Sequence, residues 1–143
     1  MALVKELQEL MGDVTVFYFR AHGYHWNVEG EDFSQYHNLF EDIYSDVYGS
    51  IDPLAENIRK LGEYAPFKLD TLIKLASLED SKVPTNPRAM AKDLLEANES
   101  LIEILKSVFH TANDDDEQGI ANFIAERIDM HQKWAWQLKA STK

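Results

Sequence analysis

Six glycines and four prolines in 143 residues are gathered into a few short stretches, and the long intervals between them carry apolar residues at three-and-four spacing. No other feature constrains the chain as much. That spacing builds helices with one apolar stripe each, and the breakers mark where each helix must stop. The first interval, Leu3 to Trp26, puts Leu7, Leu10, Met11, Val14, Phe17, Tyr18, Ala21 and His25 on the stripe and is predicted as helix A, with Gly30 closing the stretch after it. Helix B starts from an Asp32 or Ser34 cap and runs through Tyr36, Leu39, Phe40, Ile43, Val47, Ile51, Leu54, Ala55 and Ile58 to a stop at Gly62. Pro53 inside it predicts a bend or a lost hydrogen bond.

From Glu63 to Thr85 the pattern weakens, with Pro66 and Pro84 at its edges and one short apolar piece, Leu69 to Leu78, between them. This is predicted as a crossover containing one short helix. Asn86 then offers a capping side chain and Pro87 a first helical residue, and helix C follows from Ala89 to Thr111 with Leu94, Leu95, Leu101, Leu105 and Val108 on one side. The run Ala112 to Glu117 breaks it. Helix D, Gln118 to Ala140, carries Ile120, Phe123, Ile124, Ile128, His131 and Leu138. Short A–B and C–D links make antiparallel neighbours, and the long B–C link crosses the bundle. The expected fold is therefore all-α, one four-helix-bundle domain over residues 1–143. A plain bundle or a cytokine-like fold would share the pattern.

Composition narrows the function classes. With no cysteine, disulfides, thiolate metal sites and cysteine nucleophiles are excluded together. The opening MALVKELQEL carries acids where a signal peptide needs basic and then apolar residues, and no apolar run is long enough to span a bilayer. A cytoplasmic protein without a membrane role is expected. The formal charge of -11 opposes binding to a polyanion, whose affinity comes mainly from Lys and Arg on phosphates.

Helix B pairs His37 with Glu41 and Asp52 with Glu56, each at i and i+4, so each pair projects from one face. Such pairs are commonly solvated charges, and either could instead ligate a metal. The fifteen residues between His37 and Asp52 place them about 60° apart around the helix and about 22 Å apart along it. They cannot share an ion within one chain. Two copies of helix B packed antiparallel about a two-fold axis near Asp46 and Val47 would bring His37 and Glu41 of one opposite Asp52 and Glu56 of the other, making two equivalent sites. Oxygen and imidazole ligands suit iron, manganese or zinc. His25, near the end of helix A, can add a second imidazole. His22, three residues before His25 and on a similar face, could support the ligands from behind, and a structural role is the favoured expectation for it. His110 and His131 have no partner pair of this kind and are expected to be structural.

The run His25-Trp26-Asn27-Val28-Glu29-Gly30, followed by Phe33, His37, Phe40, Tyr44, Asp52, Ala55 and Glu56, closely resembles the signature of the Dps family of miniferritins. The stretch His131-Gln132-Lys133-Trp134-Ala135-Trp136-Gln137-Leu138 resembles that family's last helix. The resemblance implies a ferritin-like four-helix bundle with a long B to C crossover, assembled as a hollow dodecamer. It further implies an enzyme, a ferroxidase at the two-fold interfaces. Iron(II) would be oxidised there, usually by hydrogen peroxide, and stored inside as ferric mineral, protecting against oxidative damage. His25 and His37 would be ligands from one subunit, and Asp52 and Glu56 from its partner. Glu41 stands where the family usually has aspartate, keeping the carboxylate but adding a methylene. Trp26 is either a nearby electron donor, as proposed for the family, or an aromatic packed at the dimer interface.

The resemblance also places the start of the last helix at a three-fold pore, which makes Asp116 and Glu117 candidate pore acids, with neutral Asn122 nearby. The run Asn113 to Glu117 has a simpler expectation too, carboxylates capping helix D. No Glu-x-x-His occurs on any predicted helix, so the site inside one subunit that other di-iron bundles build is not available. DNA compaction, the activity for which the family is named, is disfavoured here. Family members that bind DNA often use a lysine-rich tail, and the termini offer only Lys5, Lys139 and Lys143.

Overall fold

The computed structural model describes residues 1–79, 84 and 86–143. Among them are five helices and no strand: α1 (Ala2–Asn27), α2 (Phe33–Lys60), α3 (Leu69–Leu75), α4 (Pro87–Asp114) and α5 (Gln118–Ser141). The four long ones correspond to the predicted helices A to D. At about 1.5 Å per residue each spans roughly 36–42 Å. Neighbours in sequence pack together, α1 on α2 and α4 on α5, and α1 against α4 joins the two pairs. The apolar stripes meet in one core in which Leu3, Leu7, Phe17, Phe40, Leu54, Leu94, Leu101 and Ile124 are fully buried.

Local chemistry sets the helix ends. The Asn86 side chain accepts a hydrogen bond from the Ala89 N–H at 2.9 Å, and Pro87 follows at the first turn, as expected. At the end of α2, Gly62 takes φ +90°, and its N–H and that of Glu63 close back on the carbonyls of Arg59 and Ile58. This is a Schellman closure, in which glycine adopts the left-handed conformation at least cost.

Three expectations are revised. Helix α4 does not break at Ala112, because Ala112 is fully buried and continues the stripe of Leu101, Leu105 and Val108. The helix ends two residues later in another Schellman closure, with Asp116 at φ 58° and the N–H groups of Asp116 and Glu117 donating to the carbonyls of Asn113 and Ala112. That closure occupies the acidic run, leaving Glu117 at the α5 N-cap with no side-chain hydrogen bond. The carboxylates therefore do not cap α5. Asp32 at the α2 N-cap makes no side-chain cap either. Pro53 lies inside α2 and has no N–H to donate, so the helix loses one hydrogen bond there, as expected.

The crossover carries the one short helix expected, α3, which lies within the apolar piece Leu69 to Leu78 and stops at Leu75, where the chain turns to dock on α1. Ser77 and Leu78 donate their N–H groups to the Asp13 carboxylate at 2.6 and 2.8 Å. Gly12 makes the approach possible. A Cβ there would lie 2.5 Å from the Leu72 carbonyl oxygen and 2.7 Å from the Ala76 nitrogen. The predicted end of the crossover, Thr85, lies outside the described residues.

Candidate metal centre

Antiparallel packing of α1 on α2 brings the last turn of α1 beside the second turn of α2. His25 and His37 meet there. His25 Nδ1 is 2.8 Å from the His37 carbonyl oxygen, and His37 Nδ1 is 2.7 Å from the His25 carbonyl oxygen. A carbonyl can only accept, so each Nδ1 carries a hydrogen and donates it. In the neutral imidazoles both Nε2 lone pairs are then free, which is how a metal-binding histidine is oriented. The rings stack, with centroids 3.7 Å apart and planes within 17°. Phe33 covers the far face of His37 at 4.6 Å, and Tyr44 stands edge-on to His25 at 5.0 Å.

Glu41, one turn along α2 from His37, places Oε1 3.8 Å from His25 Nε2. One ligand atom from each of His25, His37 and Glu41 lies within 4.8 Å of the others. The set is graded from inside to outside: His25 is buried, His37 partly so, and Glu41 exposed. Two oriented imidazoles and one carboxylate are a donor set that suits a divalent metal ion, with the carboxylate on the exposed side.

The remaining candidates are placed differently. Asp52 and Glu56 are exposed residues of α2, and the described metal-ligand cluster does not include them. Trp26 is 60 % exposed and lies against His22, centroids 4.1 Å apart. His22 in turn stacks on Tyr44 at 3.8 Å and sits 2.7 Å from the Tyr18 hydroxyl. Its pKa is lowered, first by burial and then by His25. Asp116 and Asn122 are exposed near the α4–α5 turn, with Glu117 partly so.

His131 is structural. It is 1 % exposed, and its Nδ1 meets Asn98 Oδ1 at 2.7 Å while Nε2 faces Arg127 at 3.3 Å. Nδ1 donates to the amide oxygen and Nε2 accepts from the guanidinium, so the ring is neutral. Burial, then the Arg127 charge, push its pKa down to about 3. Arg127 also forks onto Asp46 with two bonds of 2.8 Å, and Trp134 Nε1 donates to the same carboxylate at 2.8 Å. Burial alone would raise Asp46, but these hydrogen bonds and the Arg127 charge outweigh it and hold the carboxyl below its usual range. This network, which ties α2 and α4 to α5, and the Tyr18–His22 pair were not among the sequence-level expectations. The i, i+4 spacings of Arg127 with His131 and of Tyr18 with His22 were the available signals.

Comparison with known proteins places the chain. Residues 4–143 match the family model described as a ferritin-like domain. A DNA protection during starvation protein of Helicobacter pylori is 30 % identical over 135 residues, covering 94 % of each chain. The crystal structure of a Dps protein from Vibrio cholerae O1, described as a member of a broad superfamily of ferritin-like diiron-carboxylate proteins, superposes with a TM-score of 0.94 at 27 % identity, covering 99 % of this chain and 89 % of that one. Dps from Thermosynechococcus elongatus gives a TM-score of 0.95 at 25 % identity, over 99 % and 90 % of the two chains. The chain belongs to the ferritin-like domain family, as one of its Dps members.

Proposed function

We propose that this protein is a ferroxidase and iron store. Iron(II), its substrate, is bound between His25, His37 and Glu41 of one subunit and Asp52 and Glu56 of the partner subunit, is oxidised by hydrogen peroxide, and is stored as ferric mineral in a dodecameric cage. The observation that carries this reading is the reciprocal bonding of His25 and His37, which frees both Nε2 atoms beside the Glu41 carboxylate. A donor set this small needs further ligands. The exposed Asp52 and Glu56, about 22 Å along the same helix, can reach it only from a second copy.

The outer surface supports such a pairing. Asp46 and Val47, at the level of the proposed two-fold axis, turn into their own subunit, Asp46 onto Arg127 and Val47 into the core. Exposed aromatic and apolar side chains lie elsewhere on α1, α2 and α3, among them Phe19, Trp26, Tyr48, Leu69 and Ile73. A second copy would bury such a surface.

In the reaction, Glu56 bridges two iron(II) ions, His25 with Asp52 holds one, and His37 with Glu41 holds the other. Glu41, 3.8 Å from His25 Nε2, is within reach of both. Each iron gives one electron to peroxide, the O–O bond breaks, and two protons complete two waters, so no hydroxyl radical is released. Zinc or manganese would compete for the same ligands. Asp116 and Glu117 draw iron(II) toward a three-fold pore, and Trp26 intercepts stray oxidising equivalents. The protein works in the cytoplasm.

Anaerobic iron(II) titration followed by peroxide tests this, read by absorbance of the ferric product and by particle size. Rapid oxidation is expected, and His37→Ala together with Asp52→Ala should abolish it while the particle persists. Unchanged rates in that double variant would refute the site. The alternative, a DNA-compacting protein with little ferroxidase activity, would be favoured by DNA retention at physiological salt in a gel shift, which the charge of -11 opposes.

A further inference from the structure

A group of aromatic side chains on α1 and α2 leads away from the metal centre. Tyr44 stands edge-on to His25, with centroids 5.0 Å apart. His22 stacks on Tyr44 at 3.8 Å, the planes within 9°. Tyr18 comes next, its ring 6.3 Å from Tyr44 and 5.3 Å from Tyr48. Its hydroxyl oxygen is 2.7 Å from His22 Nδ1. A continuous path of rings therefore runs from a candidate ligand imidazole to a phenol paired with a base.

The pairing matters because oxidation makes a phenol strongly acidic, so it gives up an electron readily only where its proton can leave at the same time. Tyr18 holds its proton firmly at rest: burial raises its pKa, and Tyr48 and Tyr44 add to the effect. The imidazole nitrogen is already at hydrogen-bonding distance, so the proton has only to cross that bond. The two residues are four apart on α1 and share a face of the helix.

We infer that Tyr18 and His22 form a redox pair, coupled through Tyr44 to the metal centre, which supplies the electron missing when peroxide meets a single bound iron(II). This rests on the ferroxidase reading. One iron(II) gives one electron to peroxide, and the O–O bond breaks into hydroxide and hydroxyl radical. Tyr18 gives one electron to the hydroxyl radical, making a second hydroxide, and its phenol proton passes to His22 Nδ1. A neutral tyrosyl radical and an imidazolium remain. The next iron(II) returns an electron to Tyr18 and the proton crosses back, so two iron(II) have reduced one peroxide to two hydroxides.

The test uses the assembled protein in two states, freeze-quenched for electron paramagnetic resonance. In one, about one iron(II) per centre is mixed with peroxide. In the other, metal-free protein is exposed to azide radical, a one-electron oxidant that needs no metal centre. A tyrosyl signal is expected in both. Tyr18→Phe should lose it in the one-iron state while two-iron oxidation proceeds at the wild-type rate. His22→Gln should alter the hydrogen-bond-sensitive part of the spectrum and slow the radical's formation, and Trp26→Phe should keep it. A one-iron signal that survives in Tyr18→Phe overturns the proposal, as does a wild-type one-iron spectrum in His22→Gln. If the chain oxidises no iron yet forms the Tyr18 radical with azide radical, the ferroxidase reading fails and the redox pair stands.

Discussion

Two singly disabled versions of this chain, one carrying His37→Ala and the other Asp52→Ala, should each lose rapid iron oxidation and yet recover part of it when combined. The reason is geometric. The two residues lie on one helix about 22 Å apart along its axis, too far to touch one ion, so a working site must take its histidines from one subunit and its second carboxylate pair from another. In a mixed dimer one site lacks both His37 and Asp52, while the other takes His37 from the Asp52→Ala chain and Asp52 from the His37→Ala chain and is intact. Random assembly of equal amounts makes about half the dimers mixed, each with one good site of two, so about a quarter of the wild-type sites return. Co-expression with distinguishable tags, followed by stopped-flow measurement of peroxide-dependent iron oxidation, reads this directly. No recovery in particles shown to be mixed would refute a shared site. A site contained in one subunit would also give none, because neither chain carries all the ligands.

Gly12→Ala should push α3 off α1, since the new methyl would stand 2.5 Å from the Leu72 carbonyl; a loss of about 1–3 kcal/mol is expected in denaturant melts. Removing the guanidinium in Arg127→Met strands the half-buried Asp46 carboxylate, at a cost of about 3–5 kcal/mol, which thermal unfolding would show and which a near-neutral result would contradict. Acidification should weaken the fold through His131, whose folded pKa of about 3 lies below the 6.5 of an ordinary imidazole. The unfolded chain binds that proton between those values and the folded one does not, so stability rises with pH across the window, by about 1.4 kcal/mol per unit. His131→Gln should flatten that slope in urea melts at stepped pH. Zinc(II) should compete with iron(II) at the two Nε2 atoms and slow its oxidation; kinetics indifferent to zinc would argue against imidazole ligation.

The long helices were legible because each stripe repeats over many turns, and a repeat of that length tolerates local ambiguity. Their ends were less so. Gly62 announces a left-handed closure, whereas Asp116 makes the same closure without glycine, and only the burial of Ala112 shows why α4 runs on to it. The site followed the same division. The i, i+4 spacing of His37 and Glu41 is a property of one helix and could be read directly. The place of His25 depends on how α1 packs against α2. That each histidine donates to the other's carbonyl depends on backbone positions twelve residues apart in sequence, which no side-chain pattern encodes.

The mutual grip of His25 and His37 makes them a single mechanical part. Each ring is held by the backbone that carries the other, so removing one imidazole also releases a carbonyl and frees the opposite segment to drift. Single substitutions here should not yield a clean half-occupied centre with one good imidazole. They should disturb both ligands together and loosen the joint between the first two helices, so that loss of iron binding and fraying of that joint arrive as one event.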